Sequence, residues 1–173
     1  MTPLNVVVIG TGALGKHHAR ILSSMPGVKL AAVAELNEGA GRELAERLGT
    51  AWVADYRETL GEIDAAVVAV PTQAHWAVTR DLLLRRVPVL VEKPLASDLN
   101  QARQLVMLAR QNETLLQVGH VERFNPAFVK ARQYIGSPKY IRSERYSPFA
   151  FRSTDIGVVH DMMIHDLDLV LSL

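Results

Sequence analysis

Short apolar runs punctuate the first 118 residues, at positions 6–9, 30–34, 51–53, 65–70, 87–91 and 115–118. Segments of helical period separate them, the pattern of βαβ units and a parallel sheet. Between the first two runs, Leu14, His18, Ile21, Leu22 and Met25 recur at steps of three and four, and Pro26-Gly27 then stops the helix. That face is expected to pack on the sheet. Asn37 is placed to cap a second helix with Leu44 and Leu48 inward and Gly49 at its end. Ser97 is placed to cap another that carries Leu105, Leu108 and Ala109. The fold class is therefore α/β, with six parallel strands and crossover helices forming a doubly wound sheet.

The texture changes after Gly119. Asn125-Pro126 opens a predicted helix to about Ile135-Gly136, residues 139–146 read as a strand, and residues 158–173 read as a helix. Residues 1–119 thus form one domain, and residues 120–173 read as the opening of a second, α+β domain whose remainder is absent. A short protein ending in a docked helix is the other reading.

Composition narrows the function. Nineteen basic side chains against 18 acidic ones, with no long run of either sign, give no footprint for nucleic acid or a membrane surface. The expected ligand is a small molecule. No cysteine is present, which excludes disulfides and thiolate metal sites and is compatible with a reducing cytoplasm. No stretch approaches the roughly 20 apolar residues of a membrane span, and the start lacks the basic flank of a signal peptide.

The first apolar run leads directly into Gly10-Thr11-Gly12-Ala13-Leu14-Gly15 and a helix. A bare GxGxxG is weak, but in this context each glycine has its own role, Gly10 in the tight turn, Gly12 in the approach of the pyrophosphate, Gly15 in close packing of helix on strand. The helix N-terminus then presents N–H groups and a positive dipole end to the phosphates. This is the Rossmann fingerprint. Twenty residues after Gly15, Glu35 ends the second run, where a carboxylate can accept from ribose hydroxyls. It would repel a 2′-phosphate, and the next basic residue, Arg42, lies inside the following helix, so NAD is favoured over NADP. Pro71, Thr72 and His75 after the fourth run are expected to reach the same crevice, or to serve as turn and cap alone.

Two clusters suggest chemistry. Glu92-Lys93-Pro94 ends the fifth run, at the carboxyl edge where ligands of open sheets bind, and Lys93 there can polarise a hydroxyl as hydride leaves its carbon. On the last predicted helix, Asp161, His165 and Asp168 fall at steps of four and three, so they share a face opposite Met163, Ile164, Leu167 and Val170. Imidazole beside a carboxylate is a workable base near neutral pH. A plain polar helix face and a His/Asp metal site are the alternatives; no third ligand pattern supports the metal, and none is assigned.

Together the glycine loop, Glu35, Glu92-Lys93-Pro94 and the Asp161-x-x-x-His165 pair resemble the family of glucose-fructose oxidoreductase, inositol dehydrogenase and rhizopine-catabolism proteins (Gfo/Idh/MocA), over the whole chain. The resemblance implies an NAD(P)-dependent oxidoreductase acting on sugars or nucleotide sugars. It implies that Lys93, Asp161 and His165 are catalytic, with His165 accepting the proton and Lys93 and Asp161 binding the reacting hydroxyl. Glu92 and Lys93 would also border the cofactor. A two-domain protomer of about twice this length, usually a homo-oligomer, is implied as well. Within the family, residues 118–127 and 157–166 are similar to the bacterial branch that oxidises the 3-hydroxyl of UDP-N-acetylglucosamine. The Gly-rich stretch that many relatives carry before the aspartate is reduced here to Gly157. Arg123 and Asn125 are candidate contacts to the sugar or its diphosphate, although Asn125-Pro126 is also simply a helix start.

A dinucleotide-binding regulator on the same fold is the competing function. Such relatives can dispense with the lysine and histidine, and this chain has both. A degenerate form that binds NAD and catalyses nothing would leave the apolar stripe of the last helix uncovered, and association or disorder would follow.

Overall fold

In the computed structural model, which describes residues 2–146 and 157–173, the chain divides into two compact units, Met1–Val118 and Gly119–Leu173. The first unit alternates strand and helix. Its elements are β1 (Leu4–Ile9), α1 (Gly15–Ser23), β2 (Val28–Ala34), α2 (Glu38–Leu48), β3 (Ala51–Val53), β4 (Ala65–Val68), α3 (Thr72–Leu84), β5 (Val89–Val91), α4 (Leu99–Gln111) and β6 (Leu116–Val118). All five strand pairings are parallel and the order is β3-β2-β1-β4-β5-β6. The chain therefore starts in the middle, winds to one edge, crosses back and winds to the other, a Rossmann α/β fold. The crossing point lies between the carboxyl ends of β1 and β4.

Successive residues of β1 point to opposite faces, and both faces are covered. Val6 and Val8 join Ala19, Leu30, Val33, Leu44 and Ala45 in the core under α1 and α2. Val7 and Ile9 join Leu82, Leu83, Leu105 and Ala109 in the core under α3 and α4. A central strand buried on two sides has no polar face to expose, which is why it reads as an unbroken apolar run.

Three local expectations need correction. The sheet-facing side of α1 is Gly15, Ala19 and Leu22, while Leu14, Ile21 and Met25 stay exposed. Small residues take the first turns of that face, at Gly15 and Ala19, because the helix starts too close to the sheet for large ones, and Leu22 follows further along. The cap of α4 is Asp98, whose Oδ1 accepts from the N–H groups of Asn100 and Gln101 at 2.8 and 3.1 Å; the Ser97 hydroxyl bonds to Gln101 instead. Residues 139–146 form no ladder with any described strand and are exposed throughout, and a strand without a partner has nothing to satisfy its backbone. Asn37 and Gly49 do cap α2, the asparagine accepting from Ala40 N–H at 3.0 Å.

The second unit contains α5 (Pro126–Arg132), shorter than the pattern suggested, and a helix that opens as a π-helical stretch over Val159–Met163 and continues as α6 (Ile164–Leu171). Among the described residues no helix is long and apolar enough to cross a membrane.

Leu82 is fully buried and Met107 is exposed on α4. Leu82→Ala is expected to lower unfolding free energy by about 2–5 kcal/mol, and Met107→Ala by less than about 0.5 kcal/mol, in urea titrations. Equal losses would contradict the placement of the core.

Candidate dinucleotide site and the residues around it

The loop between β1 and α1 sits at the crossing point of the sheet. Gly10 has φ +85°, and a Cβ there would press on the Ala69 carbonyl oxygen at 2.7 Å. A Cβ on Gly15 would run into the Gly10 carbonyl and approach Ala69 Cβ at 3.3 Å. Both glycines are therefore demanded by the protein's own packing. Gly12 differs, since a Cβ there would meet nothing within 4 Å. Its openness is what a ligand approaching the backbone needs. No side chain caps the start of α1, and Thr11, Gly12, Ala13 and Leu14 remain at least partly exposed, so the opening turn can receive an anion.

Glu35 stands beside this loop. Its Oε2 accepts from the Thr11 N–H at 2.9 Å and from the Thr11 hydroxyl at 2.8 Å, and its Oε1 accepts from Asn37 N–H at 3.0 Å. Partial burial pushes the carboxyl up, but the bonds from Asn37, Thr11 and Leu36 outweigh it and hold the group below its ordinary 4.5. Glu35 is thus a fixed anion at neutral pH. Arg42, the nearest candidate to receive a 2′-phosphate, is drawn elsewhere: it pairs with Glu38 at 2.8 Å and lies over the Trp52 ring at 4.4 Å. The indole N–H of Trp52 in turn donates to the Glu35 carbonyl at 3.0 Å, which anchors the backbone that carries the carboxylate.

The residues after β4 divide. Pro71 is exposed, whereas Thr72 and His75 are buried. At 1% exposure, His75 turns both ring nitrogens inward, Nδ1 toward the Pro94 carbonyl at 2.7 Å and Nε2 toward the Val70 carbonyl at 2.9 Å. The expectation that its side chain reaches the crevice is therefore corrected, because backbone acceptors occupy both polar ends. Its neighbour in space is the turn after β5. There Glu92 is buried, Lys93 is partly exposed, and Glu92 accepts from His18 Nε2 at 2.7 Å and from Lys93 N–H at 3.3 Å. Periodicity places His18 on the sheet-packing face and gives no sign of this pair, whose members lie 74 positions apart. The one local signal is a polar residue among apolar ones.

In the second unit, Asp161 and His165 are both partly buried on the last helix. The segment passes from π to α geometry between them. A π turn advances each residue less far around the axis, so positions four apart align more closely than in α-helix alone. π-helical turns are frequent at functional sites. Asp168 is more fully buried than either. At 9% exposure it takes a two-pronged bond from Arg123, Nε to Oδ2 at 2.6 Å and Nη2 to Oδ1 at 2.7 Å. This bond holds its carboxyl below the usual range against the opposing effect of burial. Two of Arg123's donors are thereby committed within the protein. Asn125 caps α5, accepting from Ala127 N–H at 3.0 Å and donating to Glu122 at 3.2 Å. That is its helix-start role. Among the described residues no group of three or more His, Cys, Asp or Glu could hold a metal ion.

Comparison with known proteins agrees with this geometry. Residues 4–120 match the profile of GFO_IDH_MocA, described as an oxidoreductase family with an NAD-binding Rossmann fold. UDP-N-acetylglucosamine 3-dehydrogenase of Acidithiobacillus ferrooxidans is 37% identical over 174 residues, covering 100% of this chain and 55% of that protein. Its solved structure superimposes with a TM-score of 0.91 over 100% of this chain and 57% of the other. The scyllo-inositol 2-dehydrogenase (NAD(+)) of Bacillus subtilis is 31% identical over 94% of this chain and 51% of its own length. GenD2 from gentamicin A biosynthesis, solved in complex with NAD, gives a TM-score of 0.86 at 28% identity, over 98% of this chain and 53% of GenD2. The chain spans about half the length of the curated relatives it matches.

The two kinds of glycine separate experimentally. Gly15→Ala is expected to cost about 3 kcal/mol of stability or more through backbone collision. Gly12→Ala should stay within about 0.5 kcal/mol of wild type in stability while NAD affinity falls about tenfold or more. Calorimetric titration beside thermal unfolding checks both, and unchanged NAD affinity in Gly12→Ala would refute the loop assignment.

Proposed function

For a chain that belongs to the Gfo/Idh/MocA oxidoreductase family, we propose NAD-dependent oxidation of a sugar or nucleotide-sugar hydroxyl, with the 3-hydroxyl of UDP-N-acetylglucosamine as the best candidate. The observation that carries the substrate is the likeness to UDP-N-acetylglucosamine 3-dehydrogenase, 37% identity along the full chain. Inositol dehydrogenases are also similar, at 31% and 32% identity, which makes a cyclic polyol the second candidate. Both share one reaction class, so the chemistry is less dependent on the substrate than its name is.

Residues 10–15 would hold the pyrophosphate on backbone N–H groups, and Glu35 would accept from a ribose hydroxyl. The fixed negative charge of Glu35, with Arg42 turned to Glu38 and Trp52, supports NAD over NADP. NAD, when bound, supplies the hydride acceptor. The ammonium of Lys93 donates to the reacting oxygen and stabilises the charge that develops as its proton leaves. His165 takes that proton at an imidazole nitrogen, and Asp161 orients the hydroxyl or the ring. Domains at residues 1–119 and 120–173 divide the labour, cofactor and Lys93 in the first, Asp161 and His165 in the second. A small-molecule substrate, no nucleic-acid or membrane partner, and a homo-oligomer in the cytoplasm complete the proposal.

The test is NADH absorbance on adding UDP-sugars and inositols to the full-length protein. Turnover is expected with UDP-N-acetylglucosamine, and Lys93→Ala should keep NAD binding while turnover falls about 10²-fold or more. Normal turnover in Lys93→Ala would overturn the mechanism, whereas a preference for inositols would replace only the substrate.

A further inference from the structure

The turn that carries Lys93 is gripped from both faces of the sheet. On the face covered by α1 and α2, Glu92 is 6% exposed and its Oε1 lies 2.7 Å from Nε2 of His18, on the first full turn of α1. The other oxygen of the same carboxylate accepts from the Lys93 N–H at 3.3 Å. On the face covered by α3 and α4, His75 reaches the Pro94 carbonyl at 2.7 Å and the Val70 carbonyl at 2.9 Å. The residues before and after Lys93 are thus tied to two different helices. One of those helices begins at the dinucleotide loop.

A carboxylate buried without a donor is expensive, so the His18 bond fixes more than a rotamer. Nε2 can bond to a carboxylate oxygen only by donating, and α1 cannot shift without pulling that donor away. Gly15 brings α1 close to the glycine loop, since a Cβ at that position would collide with the Gly10 carbonyl. We propose that His18 is a positioning residue: through Glu92 it sets the backbone of Lys93 relative to the dinucleotide loop, so that the lysine amine is aligned with the cofactor before substrate arrives. This inference rests on the reading of Lys93 given above. Its value lies in geometry, because misplacement by about 1 Å at a reacting group costs about 10²-fold in rate.

The experiment compares His18→Ala, His18→Gln and His18→Glu in the full-length protein. Glutamine places an amide donor where Nε2 stands, and glutamate sets a like charge against Glu92. Three readouts are taken: kcat against KM, NAD affinity by calorimetry, and the acylation rate of Lys93 by an amine reagent, followed by mass spectrometry without sugar present. His18→Ala is expected to lower kcat about 10- to 100-fold with NAD affinity within about threefold of wild type, to change the Lys93 acylation rate about threefold or more, and His18→Gln to recover most of both. Should His18→Ala fail to fold, an active His18→Gln beside an inactive His18→Glu supports the proposal in its place. The proposal is overturned if the folded alanine or glutamate variant keeps wild-type kcat and Lys93 reactivity, or if NAD affinity falls by the same factor as kcat. Lys93→Ala separates the two claims: normal turnover there defeats the reading of Lys93, while an inactive Lys93→Ala beside a wild-type His18→Ala defeats the positioning role alone.

Discussion

Helix α1 can rest against the end of β1 only because no side chain lies between them. A methyl group at Gly15 would occupy the same space as the Gly10 carbonyl, and one at Gly10 would press on the Ala69 carbonyl at 2.7 Å. Two loops, one after β1 and one after β4, are thereby drawn together at the point where the winding order of the strands reverses. The rest of the first unit follows from that approach. Ala19 stands on the buried face of α1 where a larger residue would not fit, with Leu22 following further along, and the opening turn of the helix stays partly exposed.

Three polar contacts exploit the same closeness. Glu35 reaches back to Thr11 at 2.8 and 2.9 Å, which couples the end of β2 to the glycine loop. His18 meets Glu92 at 2.7 Å, which couples α1 to the turn after β5. His75 fixes the far side of that turn. The glycine loop, the Glu35 carboxylate and the turn that carries Lys93 are three separate stretches of chain, and hydrogen bonds tie each of them to neighbouring elements of the fold. A site supported in this way is pre-organised, and pre-organisation is where much of an enzyme's electrostatic advantage originates.

Much of this is legible in the sequence, for definite reasons. The six apolar runs, the glycine spacing and Glu35 twenty residues on are local patterns, and local patterns survive without knowledge of the fold. Asn37 and Gly49 are readable as caps because their chemistry acts on adjacent backbone. What escapes is non-local or turns on small differences. His18 and Glu92 are 74 positions apart, so nothing near either announces the other. The buried face of α1 is misjudged when apolar size is weighed above the tight approach that only Gly15 and Ala19 permit. Ser97 and Asp98 are both capable caps, and the choice between them is one residue of backbone geometry. Arg123 puts two of its donors onto Asp168, 45 positions on, and nothing near either residue announces that pairing.

In the function proposed for this chain, a fixed anion at Glu35 beside an open glycine loop selects the unphosphorylated dinucleotide. Paired calorimetric titrations of the protein with NAD and with NADP, at one low ionic strength, test it most directly. NAD is expected to bind at least about tenfold more tightly, a difference of about 1.4 kcal/mol; equal or tighter binding of NADP would contradict the account.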